Sequence, residues 1–392
     1  MSPGPISRSP DLKRLLDEGY FVQIQGGLLV MREVPYVDTQ RRVRRGSLIS
    51  TLSMAGDVTQ TPDTHQAWFD GEFPCKADGT PIAAIAHSSG NFNLGHGLTA
   101  KHHFSSKPEG GYRDYYEKMT TYAGVISGPA AVLKPEVTPR TFRALEDEED
   151  SIFNYMETAS DRAGIGALTE LLMNERVAII GLGGTGSYVL DFIAKTPVRE
   201  IRLFDEDEFL QHNAFRAPGA PSLDELREVP KKVDYFKSIY SRMHRGIVAH
   251  PVALDEGNVH FLDGITTAFL CMDAGEAKRQ IVRKLEEIGA VFIDVGMGLE
   301  LVDGSLGGIL RVTASTPDKR VHIHHGRRIS FAGGGEDDVY SSNIQVADLN
   351  ALNAVLAVVK WKKIRGFYRD LEREHHCTYT TDGNQLENGD FA

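Results

Sequence analysis

Residues 177–194 read VAIIGLGGTGSYVLDFIA. Four apolar residues, Val177 to Ile180, run into Gly181, Gly183 and Gly186, and the helical pattern Ser187 to Lys195 follows. A glycine turn between a strand and a helix lets backbone approach an anion closely, and the helix start aims unpaired N–H groups and a partial positive charge at it. Asp205 ends the next short strand, Ile201 to Phe204, 19 residues after Gly186, where a carboxylate can accept hydrogen bonds from ribose hydroxyls. This much is compatible with either a mononucleotide or a dinucleotide.

Outward from this segment the alternation continues. A helix is expected over Val233 to Met243, a strand over Ala268 to Cys271, a helix over Ala277 to Ile288 and a strand over Val291 to Asp294. Such alternation implies an α/β, Rossmann-like, doubly wound sheet. Antiparallel strands over Gly304 to Ser315 make the sheet mixed, and a long helix over Val346 to Phe367 would bury Ala351, Leu352, Val355, Val358 and Val359. The last fifteen or so residues are polar and read as loose.

Residues 1–140 differ, being rich in Gly, Pro, Ser and His, and suggest a smaller α+β domain. A hairpin is expected within residues 15–31, turning at Gly26-Gly27, and a second turn at Asp78-Gly79. Lys107 to Tyr122 reads as a loop entering a short helix. The acidic run Glu146 to Asp150 reads as a solvated linker or a helix start, and Ile152 to Leu172 has helical spacing. The expected organisation is an N-terminal domain over 1–145, a nucleotide-binding domain over 146–370 and a polar tail over 371–392.

Composition narrows the class. With 392 residues, 41% apolar and 25% charged, the chain can bury a sizeable core. Lys plus Arg number 43 against 54 Asp plus Glu, a net charge of −11 that argues against nucleic acid as partner. The most apolar stretch, Ala351 to Val359, is too short to span a membrane, and the N-terminus lacks the apolar core of a secretory signal. Three cysteines without a CxxC suggest neither disulfides nor a zinc knuckle. The expectation is a cytoplasmic protein.

The residues beyond the second strand favour a triphosphate over a nicotinamide. In DEDEFLQHNAFRAP, Asn213 and Arg216 are suited to phosphate oxygens. Lys232 opens the next helix as a second cation, and Asp273 follows the strand AFLCM, where a carboxylate can hold Mg²⁺ against phosphates. In this order and spacing, residues 176–315 resemble the ThiF/MoeB/E1-like adenylyltransferases that activate ubiquitin-like proteins. The matching pieces are Gly181, Gly183, Gly184, Gly186 and Ser187, the acidic pair Asp205 and Asp207, Asn213 with Arg216, then Lys232 and Asp273.

The resemblance implies an enzyme that binds Mg-ATP and the C-terminal carboxylate of a ubiquitin-like β-grasp protein, forming an acyl-adenylate and pyrophosphate. It implies that Asp205 holds ribose, that Asn213, Arg216 and Lys232 hold phosphates, and that Asp273 organises magnesium and the reacting centre. It also implies a homodimer. Residues 1–140 look like the uncharacterised domain fused to ThiF-like domains in bacterial operons, often associated with phage defence, which would bring in an E2-like conjugating partner.

Three departures stand out. The CxxC zinc ligands are absent, so no structural zinc is expected. The arginine that reaches into a neighbouring subunit has Arg162 as its nearest counterpart. No thioester cysteine is evident: Cys271 reads as a buried hydrophobe, Cys377 follows His375-His376, which could lower its pKa, and Cys75 precedes Lys76, which could favour a thiolate. His322 and His324 would share a strand face as two metal ligands might, although exposure beside Arg320, Arg327 and Arg328 explains them as well. His102-His103 reads as loop.

Two further classes compete. An NAD-dependent oxidoreductase would use the glycines and Asp205 but leave Asn213, Arg216 and Lys232 idle. A scaffold without chemistry would need none of the polar set. Within the adenylyltransferases, a sulfur-carrier protein is the alternative substrate.

Overall fold

The computed structural model describes residues 5–143, 151–155, 157–163, 165–273, 275–326, 328–331 and 344–391. The chain divides into two compact units, Met1–Glu170 and Leu171–Ala392.

In the first unit, α1 (Pro5–Arg8) and α2 (Pro10–Asp17) lead into β1 (Val22–Gln25) and β2 (Leu28–Val37), which pair across Gly26-Gly27 as the hairpin pattern predicts. β3 (Val43–Thr51), a small hairpin of β4 (Met54–Ala55) and β5 (Val58–Thr59), then β6 (Gln66–Asp70), β7 (Ala86–Gly95) and β8 (Leu98–Ser105) follow. Six of these strands make an antiparallel sheet ordered β1-β2-β3-β6-β8-β7. His102 and His103, expected in a loop, lie on β8.

The helix after Lys107 is longer than its sequence suggests. α3 (Tyr115–Leu133) spans 19 residues, because Asp114 caps its start and its buried face carries it through Gly124, Gly128 and Pro129. Tyr115, Met119, Tyr122 and Ile126 of α3 join Leu29, Met31, Phe69 and Phe104 of the sheet in one core. By contrast, Ile152 to Leu172 is not one helix. It breaks into α4 (Ala159–Arg162), α5 (Gly166–Thr169) and a 3-10 turn at Glu170–Leu172. The acidic run 146–150 lies outside the described residues.

The second unit alternates as expected. β9 (Arg176–Ile180), α6 (Gly184–Ile193) and β10 (Glu200–Phe204) come first, then α7 (Gln211–Ala214), α8 (Leu223–Arg227), α9 (Lys232–Tyr240) and β11 (Ile247–His250). β12 (Thr267–Leu270), α10 (Glu276–Glu287), β13 (Val291–Val302), β14 (Ser305–Ser315), α11 (Val321–His324), α12 (Ala347–Ile364), β15 (His376–Thr380) and β16 (Gln385–Gly389) complete it. The eight-stranded sheet runs β11-β10-β9-β12-β13-β14-β15-β16, with the first five strands parallel and the rest antiparallel.

β9 is buried on both faces: Val177 and Ile179 join a cluster with Val189 of α6 and Trp361 of α12, whereas Ala178 and Ile180 face Ile281 and Leu285 of α10. The order reverses at β9, flanked by β10 on one side and β12 on the other, so a crevice opens at its C-terminal end.

Two sequence expectations fail here. Residues 376–389 are not loose but pair as β15 and β16, because β14 offers them an open edge. The buried face of α12 is also rotated. It carries Asn350, Asn353, Ala354, Ala357, Val358, Lys360 and Trp361, while Val355 is exposed. Apolar spacing misleads because three buried positions are polar, each with a partner: Asn350 with Thr185, Asn353 with Gly296, and Lys360 with Asp370.

Candidate nucleotide site

The glycine loop is shaped by contacts that admit no side chains. Gly181 has φ +90°, and a Cβ there would lie 2.5 Å from the carbonyl oxygen of Cys271. Glycine therefore lets the chain leaving β12 cross tightly over the loop, which brings Met272 and Asp273 to it. A Cβ on Gly186 would lie 1.9 Å from the Gly181 oxygen, and one on Gly184 2.0 Å from Asn350 Nδ2. Gly183 is different: nothing stands within 4 Å of where its Cβ would be. Open space over Gly183 and the start of α6 is what an approaching phosphate needs. Ser187 does not face that space, since it is fully buried and its hydroxyl donates to the Gly184 carbonyl at 2.7 Å.

Gly186→Ala is expected to destabilise the second unit by about 1–3 kcal/mol through overpacking. Its melting, followed by Trp361 fluorescence, checks this; an unchanged midpoint would contradict the packing described.

Asp205 braces the loop. One oxygen accepts from the Leu182 N–H at 2.7 Å and the other from the Asp207 N–H at 2.9 Å. Lys232, the first residue of α9, is buried, and its Nζ lies 3.4 Å from Asp205 and 2.7 Å from Asp207. The second cation is thus held by the acidic pair, not presented alone. Asp207 keeps 67% of its side chain exposed, leaving it the carboxylate open to solvent.

Asn213 and Arg216 sit on and just beyond α7. Asn213 Oδ1 accepts from the Leu210 N–H at 2.8 Å, whereas its buried Nδ2 has no partner among the described residues. Arg216 Nε is likewise buried and unpartnered. Unpaired buried donors cost roughly 1–3 kcal/mol each, and an anion would satisfy both. Asp273 is exposed and makes no ion pair with a described residue.

Sequence reasoning missed Asn350. Fully buried, it accepts from the Thr185 hydroxyl at 3.0 Å, donates to the Arg216 carbonyl at 3.4 Å and packs on Gly184. One side chain from α12 therefore holds the glycine loop and the Arg216 segment together. A polar residue in an otherwise apolar helical run was its only signal.

Residues 160–311 match the ThiF family, and residues 10–158 match a domain of unknown function (DUF6791). Residues 160–311 thus make up a ThiF-family domain, most of which lies in the second unit. Its curated relatives include ubiquitin-like modifier-activating enzyme 5 from Gallus gallus and from Xenopus laevis. Each is 24% identical over 159 residues, 38% of this chain and 40% of the relative. The chain thus matches about 40% of the length of those relatives. Among solved structures, E. coli MccB aligns with a TM-score of 0.46 and 17% identity, over 58% of this chain and 65% of MccB. PaaA aligns with a TM-score of 0.43 and 16% identity, over 57% and 75%.

None of the three cysteines has an environment that favours a thiolate. Cys271 lies beside the loop, but burial pushes its thiol far up. Cys377 is on β15, where burial raises it to about 11 despite the two histidines before it. Cys75 is buried in the first unit and also raised, chiefly by burial, so Lys76 does not activate it. His322 and His324 are on the short helix α11 and not on a strand. His322 bonds the Ala314 carbonyl and His324 the Glu286 carboxylate, each at 2.9 Å. No group of three or more His, Cys, Asp or Glu among the described residues is arranged to hold a metal. Arg162 falls in α4, and its side chain lies outside the described residues.

Proposed function

We propose that this chain is an E1-like adenylyltransferase that uses Mg-ATP to activate the C-terminal carboxylate of a ubiquitin-like β-grasp protein. The observation that carries the reading is the pair of buried donors without a partner among the described residues, Asn213 Nδ2 and Arg216 Nε, on a segment tied by Asn350 to the open start of α6. A triphosphate over Gly183 would receive both donors and the field of the helix N-terminus. Lys232 would share its charge between the acidic pair and the phosphates, and Asp205 and Asp207 would receive ribose hydroxyls.

The carboxylate oxygen attacks the α-phosphorus. A carboxyl–phosphate bond forms, the bond to the β-phosphate oxygen breaks, and pyrophosphate leaves. The reacting centre gains negative charge on its oxygens, which Arg216 and Lys232 stabilise in place. Asp273 would hold Mg²⁺, which supplies charge neutralisation across the phosphates; a single carboxylate suits an ion that keeps most of its coordination for phosphate and water.

The three raised thiols support transfer of the acyl group to a nucleophile on another molecule. A homodimer, an E2-like partner and a role in bacterial antiphage conjugation belong to the same reading. What supports them is the sequence resemblance.

The test is incubation with Mg-ATP and a ubiquitin-like β-grasp protein ending in Gly-Gly, with pyrophosphate and the carrier's intact mass followed together. Pyrophosphate with AMP on the carrier is expected. Pyrophosphate release by a carrier lacking its terminal glycine would contradict the reading. A Cys75→Ser, Cys271→Ser, Cys377→Ser variant is expected to release pyrophosphate within about 3-fold of the native rate, since these thiols behave as small buried hydrophobes. A thioester, cleaved by reductant, on the native chain would overturn the assignment of the acceptor.

A further inference from the structure

Behind the segment that carries Asp273 lies a buried group of charges that the proposed reaction does not use. Asp294 of β13 is fully buried, and Lys278 in the first turn of α10 is 3% exposed. Lys278 Nζ stands 2.5 Å from Asp294 Oδ1, an ionic contact and not a directed hydrogen bond. From the other side Arg311 of β14 donates to Asp294 Oδ2 at 2.5 Å and to the Arg328 carbonyl at 2.6 Å. Two cations thus meet one carboxylate. Burying each ion costs several kcal/mol, and apolar residues of similar volume would hold a sheet as well. Such a cluster needs a reason beyond stability.

Its remaining bond supplies one. Lys278 Nζ also donates to the carbonyl of Met272 at 3.2 Å. That oxygen belongs to the peptide whose nitrogen is Asp273's own. Asp294 stands level with Leu270 in the sheet, one residue before the crossing segment begins at Cys271. The clasp therefore runs from Arg311 through Asp294 and Lys278 to the peptide plane that aims Asp273.

We propose that Lys278, held by Asp294 and Arg311, is the positioning residue for Asp273. Asp273 is exposed and without an ion partner among the described residues, so its direction comes from the backbone, and Lys278 holds that backbone through the Met272 carbonyl. This deepens the adenylation reading and rests on it. A misplacement of about 1 Å in reacting groups can cost on the order of 10²-fold in rate.

Lys278→Met, Lys278→Gln and Lys278→Arg test it with three readouts. The first is calorimetric binding of Mg-ATP, the second single-turnover pyrophosphate release, and the third hydrogen exchange over residues 271–275 without nucleotide. Lys278→Met is expected to leave Mg-ATP affinity within about 3-fold and to slow release by about 10- to 100-fold. It should speed exchange at 271–275 but not in β12. Lys278→Arg, which keeps charge and donors, should recover most of the rate. In an Asp273→Ala background Lys278→Met should slow release no further, since residues acting as one unit are not additive.

Unchanged exchange at 271–275 would overturn the proposal whatever the reaction proves to be. So would a native rate in folded Lys278→Met, or equal losses of affinity and rate. Failure of both Lys278→Met and Lys278→Gln to fold would make the role structural and also overturn it. A native protein that releases no pyrophosphate would instead count against the adenylation reading, and the exchange result would still decide the role of Lys278.

Discussion

Asp273→Ala is expected to slow pyrophosphate release by at least about 10²- to 10³-fold, the usual scale for removing one preorganised electrostatic group. The fold should survive. Asp273 is exposed, beyond the end of β12, and no described residue pairs with it, so its removal leaves neither a cavity nor an orphaned charge. Loss of rate with an unchanged melting midpoint is therefore the signature. A second signature follows from the geometry: Asn213, Arg216 and Lys232 remain in place, so nucleotide binding should fall much less than the rate. A folded Asp273→Ala variant with the native rate would remove this residue from the reaction.

The next largest effect concerns stability in the first unit. Lys118 on α3 is fully buried, with Nζ donating to Ser50 Oγ at 2.8 Å and to the Thr64 carbonyl at 2.9 Å. Burial lowers its pKa from the usual 10.5 to about 7, opposed only by nearby Asp63. The sign follows. Above pH 10.5 the amine is neutral folded or unfolded, and no penalty exists. Between about 7 and 10.5 the unfolded chain binds the proton and the folded one does not, so stability rises with pH across that window. Below about 7 the full cost is present, on the order of 5 kcal/mol.

Lys118→Met should flatten this slope and stabilise the unit near neutral pH. The gain is smaller than the full cost, because the Thr64 carbonyl loses its donor, worth about 1 kcal/mol. The two tryptophans make the measurement clean, since Trp68 reports the first unit and Trp361 the second. Denaturant unfolding by Trp68 in a Trp361→Phe background, from pH 6.5 to 10, should rise in the native chain and stay level in Lys118→Met. A native profile that falls with pH would contradict the neutral buried amine.

Much of the second unit was legible because its chemistry is local. A strand, three glycines and a helix start lie within one stretch, and the close contacts at Gly181 and Gly186 show why the turn there takes glycine. The partners of the polar residues were not legible. Lys232 reads as a second cation, and the fold seats it between Asp205 and Asp207, partners its spacing does not reveal. Ser187 is part of the loop that carries the resemblance, yet its hydroxyl turns back into its own helix. Asn350, Asp294 and Lys278 were missed because each acts on residues at least six positions away, or in other elements, and no spacing rule reaches them.

The first unit was less legible still. Its sheet is ordered β1-β2-β3-β6-β8-β7, a pairing set by contacts between distant strands. α3 tolerates two exposed glycines and a proline because its opposite face is buried through Tyr115, Met119, Tyr122 and Ile126. β15 and β16 read as polar tail because, in extending the sheet beyond β14, they expose or only half bury most of their residues and so need few apolar ones.

The most direct test of the central claim needs no protein partner. The unfolding of the second unit, read by Trp361, is measured with Mg-ATP and with NAD⁺, for the native chain and for Arg216→Ala. Mg-ATP at 100 times its dissociation constant should add about 2.7 kcal/mol to the native chain and much less at the same concentration to Arg216→Ala, with NAD⁺ doing little to either. Stabilisation by NAD⁺ and not by Mg-ATP, or by Mg-ATP equally in both chains, would contradict it.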